Sequence, residues 1–333
     1  MEVWIPLITT LSIASFLAFL VIFIFRRIWK EESKIRDLSK NISLSIFSTL
    51  FLLIILEIVF GIFVVHSDSY DFTLAAKRWS QKYWNPINSH GYRDYEHDLS
   101  QNILFVVGDS FIAGYGIKKI DDRISGILAK KLGSEWAVPV LADNGWNTID
   151  EAKAILNYPK KPTKIILSYF INDIEGAAEK SGLERPQLIE APNKIILPII
   201  DNSFVINWIY WRLYRSGFGD IYWKYLKRAY GDTEIWSLHK QELGYIISIA
   251  QMAGSGITFV VWPHLNNIDG SFEFTSKVVG FLKEQKVEVI DLHSHFQGRP
   301  SETLVVNAMD SHPNEKTNKE VAELVYKRIF LQN

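Results

Sequence analysis

Apolar positions along this chain fall into two unlike regimes. Residues 4–25 and 44–65 are continuous apolar runs; the first carries no charge and the second only Glu57. Each is long enough to cross the hydrocarbon core of a bilayer, and both are read as transmembrane helices. From residue 103 onward, short apolar runs alternate with amphipathic segments. The runs are 103–107, 138–142, 164–169, 256–262 and 287–291. They are rich in β-formers and do not alternate with polar residues, as strands buried on both faces would read. Helical patterns cover 121–132, about 151–156, 236–253, 271–285 and 315–330. This βα rhythm predicts five parallel strands in an α/β domain covered on both sides.

Three further stretches complete the division. Residues 1–66 form a two-helix anchor, 67–102 a connecting segment without strong periodicity, and 103–331 the α/β domain. Residues 174–235 interrupt the rhythm as a helical insert crowded with Trp, Tyr and Phe among Lys and Arg. It reads as a packed cap, a sugar-stacking wall or a face on the membrane interface.

Charge orients the anchor. The loop 26–43 carries Arg26, Arg27, Lys30, Lys34, Arg36 and Lys40, while Met1-Glu2-Val3 and residues 66–72 hold no Lys or Arg. The positive-inside rule puts this loop in the cytoplasm and the C-terminal domain outside it, on a two-pass protein of the cell (inner) membrane. The first run is followed by Arg26-Arg27 instead of a small-residue cleavage site, so it does not read as a signal peptide. Glu57 is costly at membrane depth; it reads either as meeting a polar group of the first helix or of a partner protein, or as a tolerated, protonated carboxyl. The net charge of −1 favours no nucleic acid, and the absence of Cys excludes disulfides, thiolate metal sites and a Cys nucleophile.

Candidate chemistry gathers at the ends of the predicted strands. The first run stops at Gly108-Asp109-Ser110, a tight turn before a helix, where open α/β sheets place their ligands. An Asp-Ser pair there is also an ordinary helix cap. The second run ends at Asn144-Gly145, the third at Asn172-Asp173, and Asp310-Ser311-His312 precedes the last helix. A nucleophilic serine needs a base, and the base an orienting acid; His312 and Asp310 can supply them for Ser110. An oxyanion needs fixed donors, which the N–H groups of Ser110 and Gly145 and the Asn172 amide would supply. Asp109 reads as support for the turn. His264, at the fourth strand's end, reads as pocket-lining or structural. His293 and His295 have a usable ligand spacing but no third ligand in view, so no metal is expected.

On these residues the chain resembles the SGNH (GDSL-type) hydrolase superfamily over about 103–331, in the manner of its membrane-anchored bacterial members. Gly108-Asp109-Ser110 matches the first block, Gly145 the second, Asn172 with Asp173 the third, and Asp310 with His312 the fifth. The resemblance implies a three-layer, flavodoxin-like α/β/α fold and ester hydrolysis or acyl transfer through an acyl-serine, with no cofactor. Asn88-x-x-Gly91-x-Arg93 resembles an element of the anchored members, where Arg93 would hold a substrate carboxylate or brace the fold. Three departures stand out: Phe170 occupies the glycine position of the third block, Trp146-Asn147 shortens the second, and Asp310 stands two residues before His312 instead of three. Location favours O-acyl (acetyl) groups on envelope glycans as substrate. A lipid ester, or a non-catalytic glycan-binding scaffold, are the alternatives.

Overall fold

The computed structural model describes residues 16, 20, 34–186, 193–214 and 218–331. The first expected membrane helix lies outside these residues apart from Phe16 and Leu20, as does 26–33 of the expected loop. The chain divides into two compact units: 1–81 with 190–216, and 82–189 with 217–333.

In the first unit, a helix runs from Lys34 to Phe63. It begins ten residues before the apolar run, in what was expected to be loop; nothing in 34–43 is Pro or Gly, so nothing stops the helix propagating backward. Its Leu44–Phe63 portion is the one helix among the described residues long and apolar enough to cross a membrane. Glu57 is only 4% exposed. Its carboxylate takes bonds from Ser203 Oγ, from the Phe204 N–H at 2.8 Å and from the Val205 N–H at 3.3 Å. The partner expected in another helix or protein is thus the start of the helix Phe204–Tyr214, in this chain's own insert. An anion at a helix N-terminus satisfies orphan N–H groups and the dipole together. Asn207 of that helix accepts from the Leu74 N–H at 2.9 Å, and Trp208 meets Phe60 edge-on at 5.5 Å.

In the second unit, β1 (Asn102–Gly108), β2 (Trp136–Ala137), β3 (Val140–Ala142), β4 (Lys164–Tyr169), β5 (Gly256–Val261) and β6 (Glu288–Asp291) make one parallel sheet. The order is β2-β1-β4-β5-β6, with β3 on the same side of β1 as β2. The strand expected over 138–142 is present only as β3, and β2 lies just before it, the two separated by Val138-Pro139. Proline has no N–H for the ladder, so only its carbonyl takes part, accepting from the Val106 N–H at 3.1 Å. Counting them as one gives five columns in the doubly wound, flavodoxin-like order.

Strand residues divide by parity between two cores. Ile103, Phe105 and Val107 join Ile165, Leu167 and Phe259 on one face, while Leu104 and Val106 join Ile166, Val260 and Trp262 on the other. Helices Thr148–Asn157, Phe218–Gly231 and Thr233–Ala253 contribute to the first core. Helices Ile124–Leu132 and Glu315–Phe330 contribute to the second. Both faces being covered is why the strands lack alternation. A separate antiparallel hairpin, β7 (Val305–Asn307) with β8 (Asp310–Pro313), precedes the last helix. The aromatic stretch is shared: 193–214 belongs to the first unit and 218–235 to the second.

Candidate active site

β1 ends at Gly108, where a Cβ would stand 2.8 Å from Ile112 Cγ1 and 3.0 Å from Ser168 Cβ. Glycine lets the chain turn this tightly. Asp109 then caps a one-turn helix, Ser110–Ala113, accepting from the Phe111 N–H at 2.9 Å. The capping reading of the Asp-Ser pair is realised in Asp109, and Ser110 is the first helical residue. The helix closes at Gly114, whose φ is +74° and whose absent Cβ leaves room for Arg123 Cδ, 2.2 Å from where it would stand.

Ser110 Oγ lies 2.8 Å from His312 Nε2, and His312 Nδ1 lies 2.5 Å from Asp310 Oδ1. Asp310 Oδ1 also accepts the His312 backbone N–H at 3.1 Å. Asp310 is fully buried and His312 nearly so, while Ser110 is half-exposed. The two-residue spacing has a structural cause. In the extended β8, residues i and i+2 point to the same face, so Asp310 and His312 stand side by side. A three-residue spacing suits a helical turn, where i and i+3 share a face.

Gly145 is exposed in the turn after β3, with φ +74°. Asn172 lies in the short 3-10 turn Ile171–Ile174 after β4. β1 runs between β3 and β4, so these two residues leave the sheet on either side of Ser110. The Asn172 amide lies beside the Asp109 carboxyl, and its Oδ1 has no hydrogen-bond partner. Asp173 Oδ2 accepts from the Phe170 N–H at 3.1 Å and pins the turn.

Three carboxyls are buried together here: Asp109, Asp173 and Glu151, a residue the sequence had not singled out. Burial pushes all three up from their ordinary values, well above for Glu151 and Asp173; Asp109 and Asp150 raise Glu151 further, and Glu151 and Asp109 raise Asp173 further. Asp109 is held back partly by the Phe111 N–H, by His312 and by Asn172. Both oxygens of Glu151, Oδ1 of Asp173 and Oδ2 of Asp109 lack a hydrogen-bond partner. The signal for Glu151 was its position: it lies on the same helical face as Thr148, Ala152 and Ile155, all buried.

Arg93 sits beneath this arrangement. Its guanidinium donates to the carbonyls of Ala113 at 3.2 Å, Gly114 at 2.6 Å, Ile117 at 2.6 Å and Tyr83 at 2.8 Å. It also lies 4.8 Å over the Trp84 ring, and burial beside Arg123 lowers it to about 9. Of the two roles expected for Arg93, this geometry is that of the brace. Asn88 and Gly91 make the turn that delivers it: Asn88 Oδ1 accepts from the N–H groups of His90 and Tyr92, and Gly91 has φ +87°. Arg123 bonds the Arg93 carbonyl at 2.6 Å and Asp94 at 3.1 Å.

Aromatic rings surround the relay. Phe111 and Tyr115 stand 5.5 and 5.1 Å from the His312 ring. Phe170 stacks on Phe111 at 4.4 Å and on His264 at 6.0 Å, and Trp223 meets His264 at 5.7 Å. His264 is thus a member of an aromatic wall, and burial lowers it to about 4, so it is neutral at ordinary pH. His293 and His295 pair with Asp269 at 3.9 Å and Glu320 at 2.7 Å respectively.

No family model matches the sequence, and no curated protein matches it. Among solved structures, the chain is similar to GDSL-family lipolytic hydrolases. A lipolytic protein of the G-D-S-L family from Veillonella parvula is 14% identical, with 69% of this chain and 99% of that one covered and a TM-score of 0.42. A lipase from a goat rumen metagenome is 16% identical over 69% of this chain and 98% of its own, with a TM-score of 0.44. An acetyl xylan esterase is 12% identical over 68% and 100%, with a TM-score of 0.44.

Proposed function

We propose that this chain is a membrane-anchored serine esterase of the SGNH/GDSL type, which removes or transfers O-acyl groups, acetyl foremost, on cell-envelope glycans. The observation that carries the reading is the continuous relay from Ser110 Oγ through His312 to Asp310, at 2.8 and 2.5 Å. His312 Nε2 takes the Ser110 proton as Oγ forms a bond to the ester carbonyl carbon. The carbonyl oxygen becomes an oxyanion, held by the N–H groups of Ser110 and Gly145 and the Asn172 amide. His312 returns the proton to the leaving alkoxide as the C–O bond breaks, giving acyl-Ser110 and an alcohol. Asp310 holds the Nδ1 proton and the ring's orientation throughout. Water, or a sugar hydroxyl, then attacks the acyl-serine with His312 again as base.

A short acyl group is favoured by Phe170, whose ring occupies the block's glycine position and stacks on Phe111 beside His312. Anchoring is supported by the apolar Leu44–Phe63 helix and by the uncharged run 4–25, and the basic residues between them favour an extracytoplasmic catalytic domain.

A fluorophosphonate probe tests the reading. Covalent labelling is expected for the full chain in detergent and is lost in Ser110→Ala. No labelling of folded protein overturns the enzyme reading in favour of a glycan-binding scaffold. A panel of O-acetylated oligosaccharides, acyl-chain esters and lysolipids then ranks substrates; faster acyl release on adding a glycan acceptor identifies transfer.

A further inference from the structure

We propose that residues 193–214 are a second membrane element: the paired helices Leu197–Asn202 and Phe204–Tyr214 lie in the outer-leaflet interface, with Glu57 of the spanning helix as their clamp. This rests on the reading of Leu44–Phe63 as a membrane helix, to which it adds a new contact surface for lipid.

The helix Phe204–Tyr214 is apolar around nearly its whole circumference, as helices are in cores or in lipid. Only one side is buried, through Phe204, Val205, Asn207 and Trp211. The other exposes Ile206, Ile209 and Leu213 at i, i+3 and i+7, a continuous stripe. The shorter helix and its lead-in add Ile195, 80% exposed, with Ile196 and Ile199. Six large aliphatic side chains exposed within about twenty residues are out of place in water. Lys194, Arg212 and Tyr214 border them, the residue types that reach from apolar surroundings to headgroups.

What covers this surface is indicated by what it is joined to. The spanning helix is itself exposed along Leu52, Ile55, Val59, Ile62 and Phe63. Glu57 stands six residues before Phe63, about 9 Å along the axis. The first turn of Phe204–Tyr214 is hydrogen-bonded to Glu57, and Trp208 packs edge-on against Phe60, so the insert begins at that depth. An interfacial helix buries its apolar face about 5–10 Å into the headgroup–acyl boundary. The depth, the apolar stripe and the exposed flank of the spanning helix all point to the same lipid. The clamp also explains why a Glu is tolerated in the span: its carboxyl oxygens meet two N–H groups and a hydroxyl instead of hydrocarbon.

The chain has no cysteine, so single-cysteine nitroxide labels can be placed without background. The full-length protein, in lipid nanodiscs holding one copy each, is labelled at Ile206→Cys, Ile209→Cys, Leu52→Cys and Lys283→Cys. Collision with oxygen is compared with collision with an aqueous nickel chelate. The labels at 206 and 209 are expected to favour oxygen severalfold, as at 52, with the reverse at 283. If 206 and 209 behave like 283 while 52 stays lipid-protected, the insert proposal is overturned and the anchor stands. If 52 is also water-exposed, the anchor reading itself has failed. Protection at 206 and 209 that appears only in discs holding two copies, with dipolar broadening between labels, assigns the surface to a second copy and overturns lipid as the occupant. Glu57→Leu keeps the span apolar and is expected to raise nickel access at 209; unchanged access overturns the clamp.

Discussion

Replacing Glu151 by Gln keeps shape and volume and removes one ionisable proton from the buried carboxyl group beside the Asp109-Ser110 turn. Glu151 is fully buried with neither oxygen hydrogen-bonded, and Asp109 and Asp173 stand near it. Its folded-state affinity for a proton is therefore raised well above the ordinary 4.5. The folded protein binds more protons than the unfolded chain wherever pH exceeds that ordinary value. Stability conferred by this group is thus present in full below about pH 4.5 and is lost as pH rises toward the folded value. For each pH unit over which the buried carboxyl keeps its proton, about 1.4 kcal/mol of stability is given up. Glu151→Gln cancels this slope, at the cost of roughly 1–3 kcal/mol for a buried amide with few acceptors. The two effects separate by pH. The variant is expected to be less stable than the parent at pH 5 and to overtake it, or nearly so, at pH 8. Thermal unfolding midpoints of the full-length protein in detergent, from pH 4.5 to 8.5, read this difference. A Tm difference between variant and parent that stays flat with pH, or that widens against the variant as pH rises, refutes the reasoning. Glu151 would then be ionised in the fold, held by a cation or by water.

Three other substitutions probe neighbouring claims. Asp310→Asn keeps the shape but lets His312 adopt the wrong tautomer, so kcat for an acetyl ester should fall by roughly 10³–10⁴-fold, with an unchanged Tm. Phe170→Ala opens the space beside Phe111 and should raise the hexanoyl-to-acetyl ratio of kcat/KM by about tenfold or more; an unchanged ratio removes Phe170 from the acyl pocket. Arg93→Met strips donors from four carbonyls and should cost about 3 kcal/mol or more of stability, seen as a Tm drop that Arg93→Lys, with a single ammonium group, does not restore.

The parts of the fold legible in the sequence were those encoded within a few residues. Apolar runs marked the strands because both faces are covered, and residues at their ends marked Ser110, Gly145 and Asn172. His312 and Asp310 were legible as types, although their two-residue spacing made sense only once 310–313 was seen to be extended. Pro139 shortens the strand expected over 138–142 to 140–142 and separates it from the unexpected β2. Contacts across long separations were not legible. Glu57 meets Ser203 across 146 residues, and periodicity carries no information on such a pairing. Glu151 illustrates a subtler loss: a Glu in a first helical turn reads as dipole complement, and only the burial of its face shows otherwise.

The position of Ser110 is set at both ends of a helix too short to exist alone. Four residues cannot offset the cost of nucleation, so the segment Ser110–Ala113 must be held by its surroundings. Asp109 meets its first N–H groups, and Arg93 and Arg123 meet the carbonyls of Ala113 and Gly114 at its other end. Acid at the N-terminus and cations at the C-terminus are the two favourable placements for a helix dipole. Arg93 reaches its carbonyls from a turn lying upstream of the sheet, made by Asn88 and Gly91. The segment before β1, which reads as featureless connection, is thus what fixes the far end of the Ser110 helix. Asp109, in turn, shares its burial with Glu151 and Asp173. A change in their protonation is felt at the N-terminal end of the same helix, one residue from Oγ. The 2.8 Å contact between Ser110 and His312 therefore depends on two buried groups of opposite character, neither of which touches the substrate.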